Sequence, residues 1–501
     1  MQRHLFVSLR AVGLVLGLAA HPCASALAGE PAPLLAPAQM PRVGTVDVRF
    51  QSYNIEMVEV TGGRFWRPYG APPQRSATRS DLFAERAPID LTNARLRRLA
   101  AALGPAYLRI SGTAANATAP ANANTASATP PQGFNGVLTR LQWHGAIDFA
   151  RAVDARIATS FAISPGTRDA KGAWMPKQAR RLLALTRAAG GRIAAAEFMN
   201  EPDLPEIGGA PAGYAPSAYG RDFKTFRAFM RRKAPRMLIL GPGAIGQTAA
   251  VPALLSASGA DLDVVSYHHY GALSRRCAGH HTPDDALSET WLAGADQALA
   301  FAQTLRDRFA PGKPIWLTET GEAACGGNPW AATFLDTFRY LDQLGRLAKA
   351  GVRVVMHNTL AASDYALLDE VTFTPRPSYW GALLWRRLMG PIVLDAGLPI
   401  QAGLHVYAHC RRDAVGVTLL VINTDRDAPH ALTLAAASER YTLDAAGLRD
   451  SAVQLNGHSL ALGAGDELPQ LAGQPTAAGP VTFAPATITF LTVPTTNGAC
   501  G

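Results

Sequence analysis

A chain of 501 residues, 48% hydrophobic and 17% charged, is too apolar for a disordered polymer and long enough for one large domain with a smaller one attached. Its formal net charge of +9 comes largely from arginines scattered along helix-like stretches, with no dense Lys/Arg block and no basic-aromatic interleaving of the nucleic-acid-binding kind. A moderately basic surface suits an acidic polymer without singling one out.

Residues 1–28 have the pattern of a secretory signal. Arg3 and Arg10 precede the apolar run Ala11–Ala20, and Ala24-Ser25-Ala26 and Ala26-Leu27-Ala28 offer cleavage sites. The run is too short for a membrane span. Removing the signal takes Arg3 and Arg10 with it, lowering the charge from +9 to +7, and leaves Cys277, Cys325, Cys410 and Cys500. The expectation is a secreted or periplasmic, non-membrane-spanning protein whose four cysteines permit three pairings.

Residues 29–45 read as an extended, Pro/Ala-rich segment that can join a later sheet. From there to residue 388, apolar strands alternate with helix-period stretches. The strands are Val46–Met57, Ala106–Ile110, Ile157–Ile163, Ile193–Phe198, Met237–Leu240, Leu262–Tyr267, Ile315–Thr318 and Val352–His357. The helices are Thr92–Leu103, Gly145–Val153, Pro176–Ala189, Ala218–Lys233, Asp285–Phe309 and Ala331–Ala350. Eight such strands predict an α/β fold, a (β/α)8 TIM barrel over 46–388, with an open doubly wound sheet as the alternative. Ser111–Pro131, rich in Ala, Thr and Asn, reads as a flexible loop containing the sequon Asn116-Ala117-Thr118. Over 389–501 the helical pattern fades. Short strands Leu404–Ala408, Gly416–Asn423, His430–Leu434 and Ala486–Val493 predict an antiparallel β-sandwich, with Cys410 and Cys500 bracketing it as a preferred disulfide.

The fourth strand ends in Asn200-Glu201-Pro202 and the seventh in Glu319-Thr320. Barrel active sites lie at this C-terminal rim, so both carboxylates face one pocket. Two carboxyl groups across a pocket are the equipment of glycoside hydrolysis. In a retaining mechanism Glu201 is the acid/base, its neutral form favoured by a neighbouring negative charge, and ionised Glu319 is the nucleophile. Asn200 would bond the sugar 2-hydroxyl. Retention needs the carboxyls about 5–5.5 Å apart, against roughly 6.5–9.5 Å for inversion.

Several strings in chain order resemble the heparanase/β-glucuronidase family of retaining glycoside hydrolases. They are Pro105-Ala106-Tyr107-Leu108-Arg109 with Gly112-Thr113, Asn200-Glu201-Pro202, His268-His269-Tyr270, and Trp316-Leu317-Thr318-Glu319-Thr320 with Gly326-Gly327. Tyr365–Glu370, Tyr407-Ala408-His409-Cys410 and Val453–Gly457 extend the resemblance through the sandwich. It implies catalysis by Glu201 and Glu319, with Tyr270 bonding the nucleophile and His268 on the same rim. It further implies that Glu56, where the family has Asp, binds sugar hydroxyls. Backbone N–H groups at Gly326-Gly327 and the Tyr365 hydroxyl would hold the uronate carboxylate, with Thr113 and Gln247 as further substrate contacts. The implied enzyme is a monomer without cofactor or metal, endo-acting on heparan sulfate or a related glucuronate glycan, with exo-cleavage of small glucuronides as the alternative. Asp203-Leu204-Pro205-Glu206 and Thr248-Ala249 are unlike basic sulfate readers. Cys277 and Cys325, on loops after strands six and seven, would form a rim disulfide or leave Cys325 free.

Other readings have thinner support. Gly241-Pro242-Gly243-Ala244-Ile245-Gly246 matches a dinucleotide-binding pattern but follows the fifth strand rather than the first. His268, His269, Cys277, His280 and His281 match no common zinc spacing. A non-catalytic glycan-binding protein would have no need of a matched acid and nucleophile.

Overall fold

The computed structural model describes residues 32–69, 82–125 and 129–500; the signal-like segment lies outside the described residues. Eight parallel strands form a closed barrel: β1 (Gln51–Glu56), β2 (Ala106–Ser111), β3 (Ala155–Thr159), β4 (Ile193–Glu197), β5 (Leu238–Ala244), β6 (Val264–Tyr270), β7 (Ile315–Gly321) and β8 (Val354–His357). β8 pairs back onto β1 through Val355↔Gln51 and His357↔Tyr53, so no open edge remains and the open-sheet alternative falls.

The barrel interior is graded along the strands. Tyr107, Ala158, Ala195, Leu240, Val264, Trp316, Val354 and Met356 fill an apolar layer. One pleat further toward the strand C-termini, the inward positions turn polar at Arg109, Glu197 and Ser266. A regular strand points successive side chains to opposite faces, yet Thr318 and Glu319 both serve the interior. The register explains this: Tyr267 pairs with Leu317 but His268 with Glu319, so β7 carries one extra residue there.

Eight helices cover the barrel: Ala94–Ala102, Arg140–Ala152, Lys177–Ala188, Pro216–Lys233, Ala250–Ser258, Gly294–Phe309, Phe334–Lys349 and Pro377–Leu388. Ala250–Ser258 and Pro377–Leu388 have no counterpart among the sequence expectations. The first is short and nearly all apolar; the second carries Tyr379, Trp380 and Trp385, weak helix formers that burial overrides. The single stretch expected over Asp285–Phe309 is divided, because Ser288 caps a new turn at Glu289–Leu292 by accepting the Trp291 N–H at 3.2 Å.

Ser111–Pro131 is not simply a flexible loop. Thr113–Ala117 form a 3-10 turn and Thr118–Pro120 pair in parallel with Gly136–Leu138. Asn116 is 0% exposed, so the sequon is unreachable for glycosylation in the folded protein. An antiparallel strand pair absent from the sequence reading, Gly63–Trp66 with Phe83–Arg86, brings the Trp66 side chain against Gly326 in the loop after β7.

Beyond the barrel, Met389–Leu394, Leu404–Arg411, Val417–Asn423, Thr487–Val493 and Ser438–Asp444 build an antiparallel sheet, and Arg42–Thr45 adds to its edge against Met389–Leu394. Leu34–Leu35, His430–Leu434 and Gly479–Phe483 form a second layer. The fully buried run Val417–Asn423 follows from cover on both faces. Val417, Leu419 and Val421 meet Leu432 and Phe483 of the second layer, while Leu420 and Ile422 join the barrel core. Cys410 and Cys500 are disulfide-bonded, closing this sheet onto the C-terminal turn. No helix among the described residues is long and apolar enough to cross a membrane.

Candidate active site

The strand ends converge on Arg109, which is 1% exposed. Its Nη1 donates to Glu319 Oε2 at 2.7 Å, its Nη2 to Glu197 Oε2 and Asn200 Oδ1 at 2.8 Å each, and its Nε to Glu197 Oε2 at 3.1 Å. Glu197 also accepts from Ser266 Oγ at 2.8 Å and Thr318 Oγ1 at 2.7 Å on its other oxygen. A buried carboxylate with four donors stays ionised: burial pushes its pKa up, but Arg109, His268 and the hydroxyls hold it below the usual range. Arg109 and Glu197 thus form a charge-compensated floor beneath the pocket.

Glu319 rests on this floor, its second oxygen accepting the Tyr270 hydroxyl at 2.8 Å. Burial raises its pKa, and the nearby His268 and Arg109 with the Tyr270 bond more than reverse that, leaving it lowered. Glu201 sits opposite with φ +48, a left-handed backbone rare for a side chain of its size and characteristic of functional sites. Its pKa is raised, chiefly by burial and further by the Glu319 charge, although a 3.0 Å bond to His268 Nδ1 works the other way. One oxygen of Glu201, one of Glu319 and a ring nitrogen of His268 all lie within 4.8 Å of one another. The pair therefore combines a carboxyl biased to stay protonated with one biased to ionise, as acid and nucleophile require. These three could gather around a cation by distance alone, but Glu319 already spends both oxygens on Arg109 and Tyr270, and the guanidinium repels a second cation.

Asn200 is clamped by Asn116, whose Oδ1 accepts the Asn200 N–H at 2.9 Å and whose Nδ2 donates to the Asn200 carbonyl at 2.8 Å. With Asn200 Oδ1 bonded to Arg109, its Nδ2 remains as the donor of that side chain. Glu56, at the end of β1, accepts from Asn358 Nδ2 at 3.1 Å. Burial and then the Glu319 charge push its pKa well above the carboxylate range, which favours its protonated form beside an ionised Glu319. A Cβ on Gly112 would fall 1.4 Å from Glu56 Oε2, so only glycine lets the longer Glu lie here. Asn358 Nδ2 also lies 2.9 Å from the Tyr270 hydroxyl and 3.2 Å from that of Tyr365.

The residues expected to hold a carboxylate fare unevenly. Tyr365 is 2% exposed, and its hydroxyl belongs to the Asn358 cluster. Gly326 and Gly327 both have positive φ, and a Cβ on Gly326 would meet the Trp66 side chain at 2.7 Å. Of the two N–H groups expected to hold a carboxylate, that of Gly327 donates to the Ala323 carbonyl at 3.1 Å. Thr113 and Gln247 stand exposed on loops after β2 and β5, outside the bonded cluster. Cys277 is disulfide-bonded to Cys325, so neither is a free thiol or a metal ligand. His281 stacks on Trp291 at 3.4 Å, which disperses the zinc reading. The dinucleotide-like Gly241–Gly246 run is strand and turn, with the Ile245 and Gly246 N–H groups bonded to Asp203 at 3.2 and 3.0 Å.

Arg109, Glu197, Asn116 and Asn358 were not among the expected site residues. Arg109 and Glu197 left a sequence signal, a charge at an inward position of an otherwise apolar strand; Asn116 and Asn358 left none.

The family model described as "Glycosyl hydrolase family 79, N-terminal domain" matches residues 87–345, more than half of the chain. The chain belongs to glycosyl hydrolase family 79. The matched span of this family 79 protein contains β2 through β7 and hence both Glu201 and Glu319. Mouse (Mus musculus) heparanase is 32% identical over 316 residues, covering 56% of this chain and 57% of its own length. A baicalin-β-D-glucuronidase of Scutellaria baicalensis is 29% identical over 286 residues, covering 53% of each. The chain spans about half to two thirds of the length of these and a similar plant relative. Among solved structures, a 4-O-α-L-rhamnosyl-β-D-glucuronidase from Fusarium oxysporum superposes with TM-score 0.65 over 92% of this chain and 100% of its own, at 14% identity. That likeness extends the barrel-plus-sheet fold across nearly the whole chain.

Proposed function

We propose that this family 79 protein is a retaining β-glucuronidase that cleaves glucuronidic linkages within an acidic glycan, heparan sulfate or a close relative. The observation that carries the reading is the Glu201–Glu319 pair, with carboxylate oxygens within 4.8 Å. That spacing suits direct attack by Glu319; an interposed water would need roughly 6.5–9.5 Å between the carboxyls. Glu201 protonates the glycosidic oxygen while Glu319 attacks the anomeric carbon. Glu201, now a carboxylate, then deprotonates the water that releases the sugar. Asn200 Nδ2 donates to the 2-hydroxyl as positive charge builds on the ring. Glu56, biased toward its protonated form, and the Tyr365 hydroxyl offer donors to the remaining oxygens of a uronate ring. The names of the mouse and Scutellaria relatives supply the substrate class. Two disulfides agree with an exported protein.

The test is product analysis on heparan sulfate and on an aryl β-glucuronide, with Glu319→Gln as control and the anomer of the first-formed product read by NMR. Large oligosaccharides of retained configuration, reduced about 10⁴-fold or more in the variant, are expected. Release of single glucuronate units would make the enzyme exo-acting. Inverted product, or full activity in Glu319→Gln, would overturn the mechanism.

A further inference from the structure

Among the described residues, the Arg109 charge beneath the catalytic pair is consumed by Glu197 and Glu319, and the loop after β4 brings Asp203 and Glu206. An acidic polymer needs its charge met elsewhere. A cleft of about 290 Å³ lies between the loops following β6 and β7 and two loops of the sandwich domain. That is near the lower end of small-ligand sites, about 300–1,000 Å³. Three arginines edge it: Arg275 from the β6 loop, and Arg426 and Arg449 from the sandwich. Among the described residues none of the three guanidiniums has a carboxylate within ion-pair distance, although Asp284 also lines the cleft. Two of the arginines are held in place. Arg275 lies over the buried Trp330 ring at 4.9 Å, with its backbone N–H on Asn328 Oδ1 at 2.9 Å, and Arg426 Nη2 donates to the Pro283 carbonyl at 2.6 Å. Fixed guanidiniums without counterions are what sulfate or carboxylate recognition uses.

We propose that this cleft is an accessory subsite for an anionic sugar residue, sulfated or carboxylated, of the same glycan chain whose glucuronate occupies the catalytic pocket. The inference rests on the glycan reading above. Its position follows from the chain: Arg275 is five residues beyond Tyr270, and Trp330 three beyond Gly327, on loops joined by Cys277–Cys325. A polymer leaving the pocket over β6 and β7 therefore runs toward the cleft, and the sandwich contributes two of the three cations. Reading charge here would give an endo-acting enzyme purchase on a long acidic chain that a small glucuronide never touches.

The experiment compares the native enzyme with an Arg275→Gln/Arg426→Gln/Arg449→Gln variant on heparan sulfate and on an aryl β-glucuronide. Binding of a size-defined heparin oligosaccharide is measured by calorimetry in the Glu319→Gln background, with and without the three changes. Expected are a rise of about tenfold in KM for heparan sulfate, a matching loss of oligosaccharide affinity at low salt, a weaker salt dependence, and unchanged aryl glucuronide turnover. Unchanged oligosaccharide affinity and salt dependence would overturn the subsite. If the triple variant misfolds, Arg449→Gln decides, because among the described residues that side chain makes no hydrogen bond or ion pair; a two- to threefold loss is expected, and none would refute. If the native enzyme cleaves neither substrate, the hydrolase reading fails on its own, and the calorimetry still decides the subsite.

Discussion

Replacing Glu197 with Gln tests the floor of the active site. The change keeps the shape and removes one negative charge from a group that accepts from Arg109, Ser266 and Thr318 while 1% exposed. Breaking one partner of a buried ion pair costs about 3–5 kcal/mol, and the low end applies because Arg109 keeps Glu319 and Asn200. For a protein of this size the unfolding entropy is on the order of 1 kcal/mol per kelvin, so the thermal midpoint should fall by about 3 °C. The chemical effect is separate. One guanidinium bridges Glu197 and Glu319, which puts the two charges on the order of 6 Å apart, where an effective dielectric of about 20 makes a unit charge worth at most roughly 2–3 kcal/mol. Without Glu197, the Arg109 charge falls more fully on Glu319. That lowers the Glu319 pKa further and makes it a weaker nucleophile. The acid limb of the kcat/KM–pH profile on an aryl β-glucuronide should then move down by about one pH unit, with kcat reduced about 10–100-fold. A lowered thermal midpoint with both limb and kcat unmoved would refute the electrostatic role and leave Glu197 a packing residue.

Other consequences can be measured with the same substrate. In the native enzyme activity should be bell-shaped: protonation of Glu319, held low, sets the acid limb, and loss of the proton from Glu201, held high, sets the basic limb. An optimum on the acidic side of neutrality is expected, and a basic limb that persists in Glu201→Gln would reassign it. Tyr270→Phe removes the 2.8 Å bond to Glu319, so kcat should fall about tenfold while the acid limb moves up, opposite to the Glu197→Gln shift. Joint replacement of Cys410 and Cys500 by Ala opens a loop with a sequence separation of 90 residues and should cost about 2–5 kcal/mol in denaturant unfolding without changing kcat; a change in kcat would mean the sandwich influences the chemistry.

What the amino-acid sequence determined by itself was whatever depends on local periodicity. Eight apolar runs between helix-period stretches specify a parallel sheet covered on both faces, because such strands must be apolar throughout, while its closure into a barrel rests on the pairing of β8 with β1. Asn200-Glu201-Pro202 and Glu319-Thr320 mark its rim as polar breaks at the ends of apolar runs, although β7 itself continues through Glu319 to Gly321. Tertiary structure alone decided the partners. Arg109 meets Glu197 across 88 residues and Glu319 across 210, and which inward charges face each other depends on register around a closed barrel. The extra residue in β7 that turns both Thr318 and Glu319 inward has no periodic signature, because a bulge is set by the neighbouring strand. Asn116, legible only as part of a sequon, is buried as a clamp on Asn200. The ionisation states of Glu56, Glu201 and Glu319 likewise arise from burial and mutual repulsion, which exist only once distant strand ends are brought to one place.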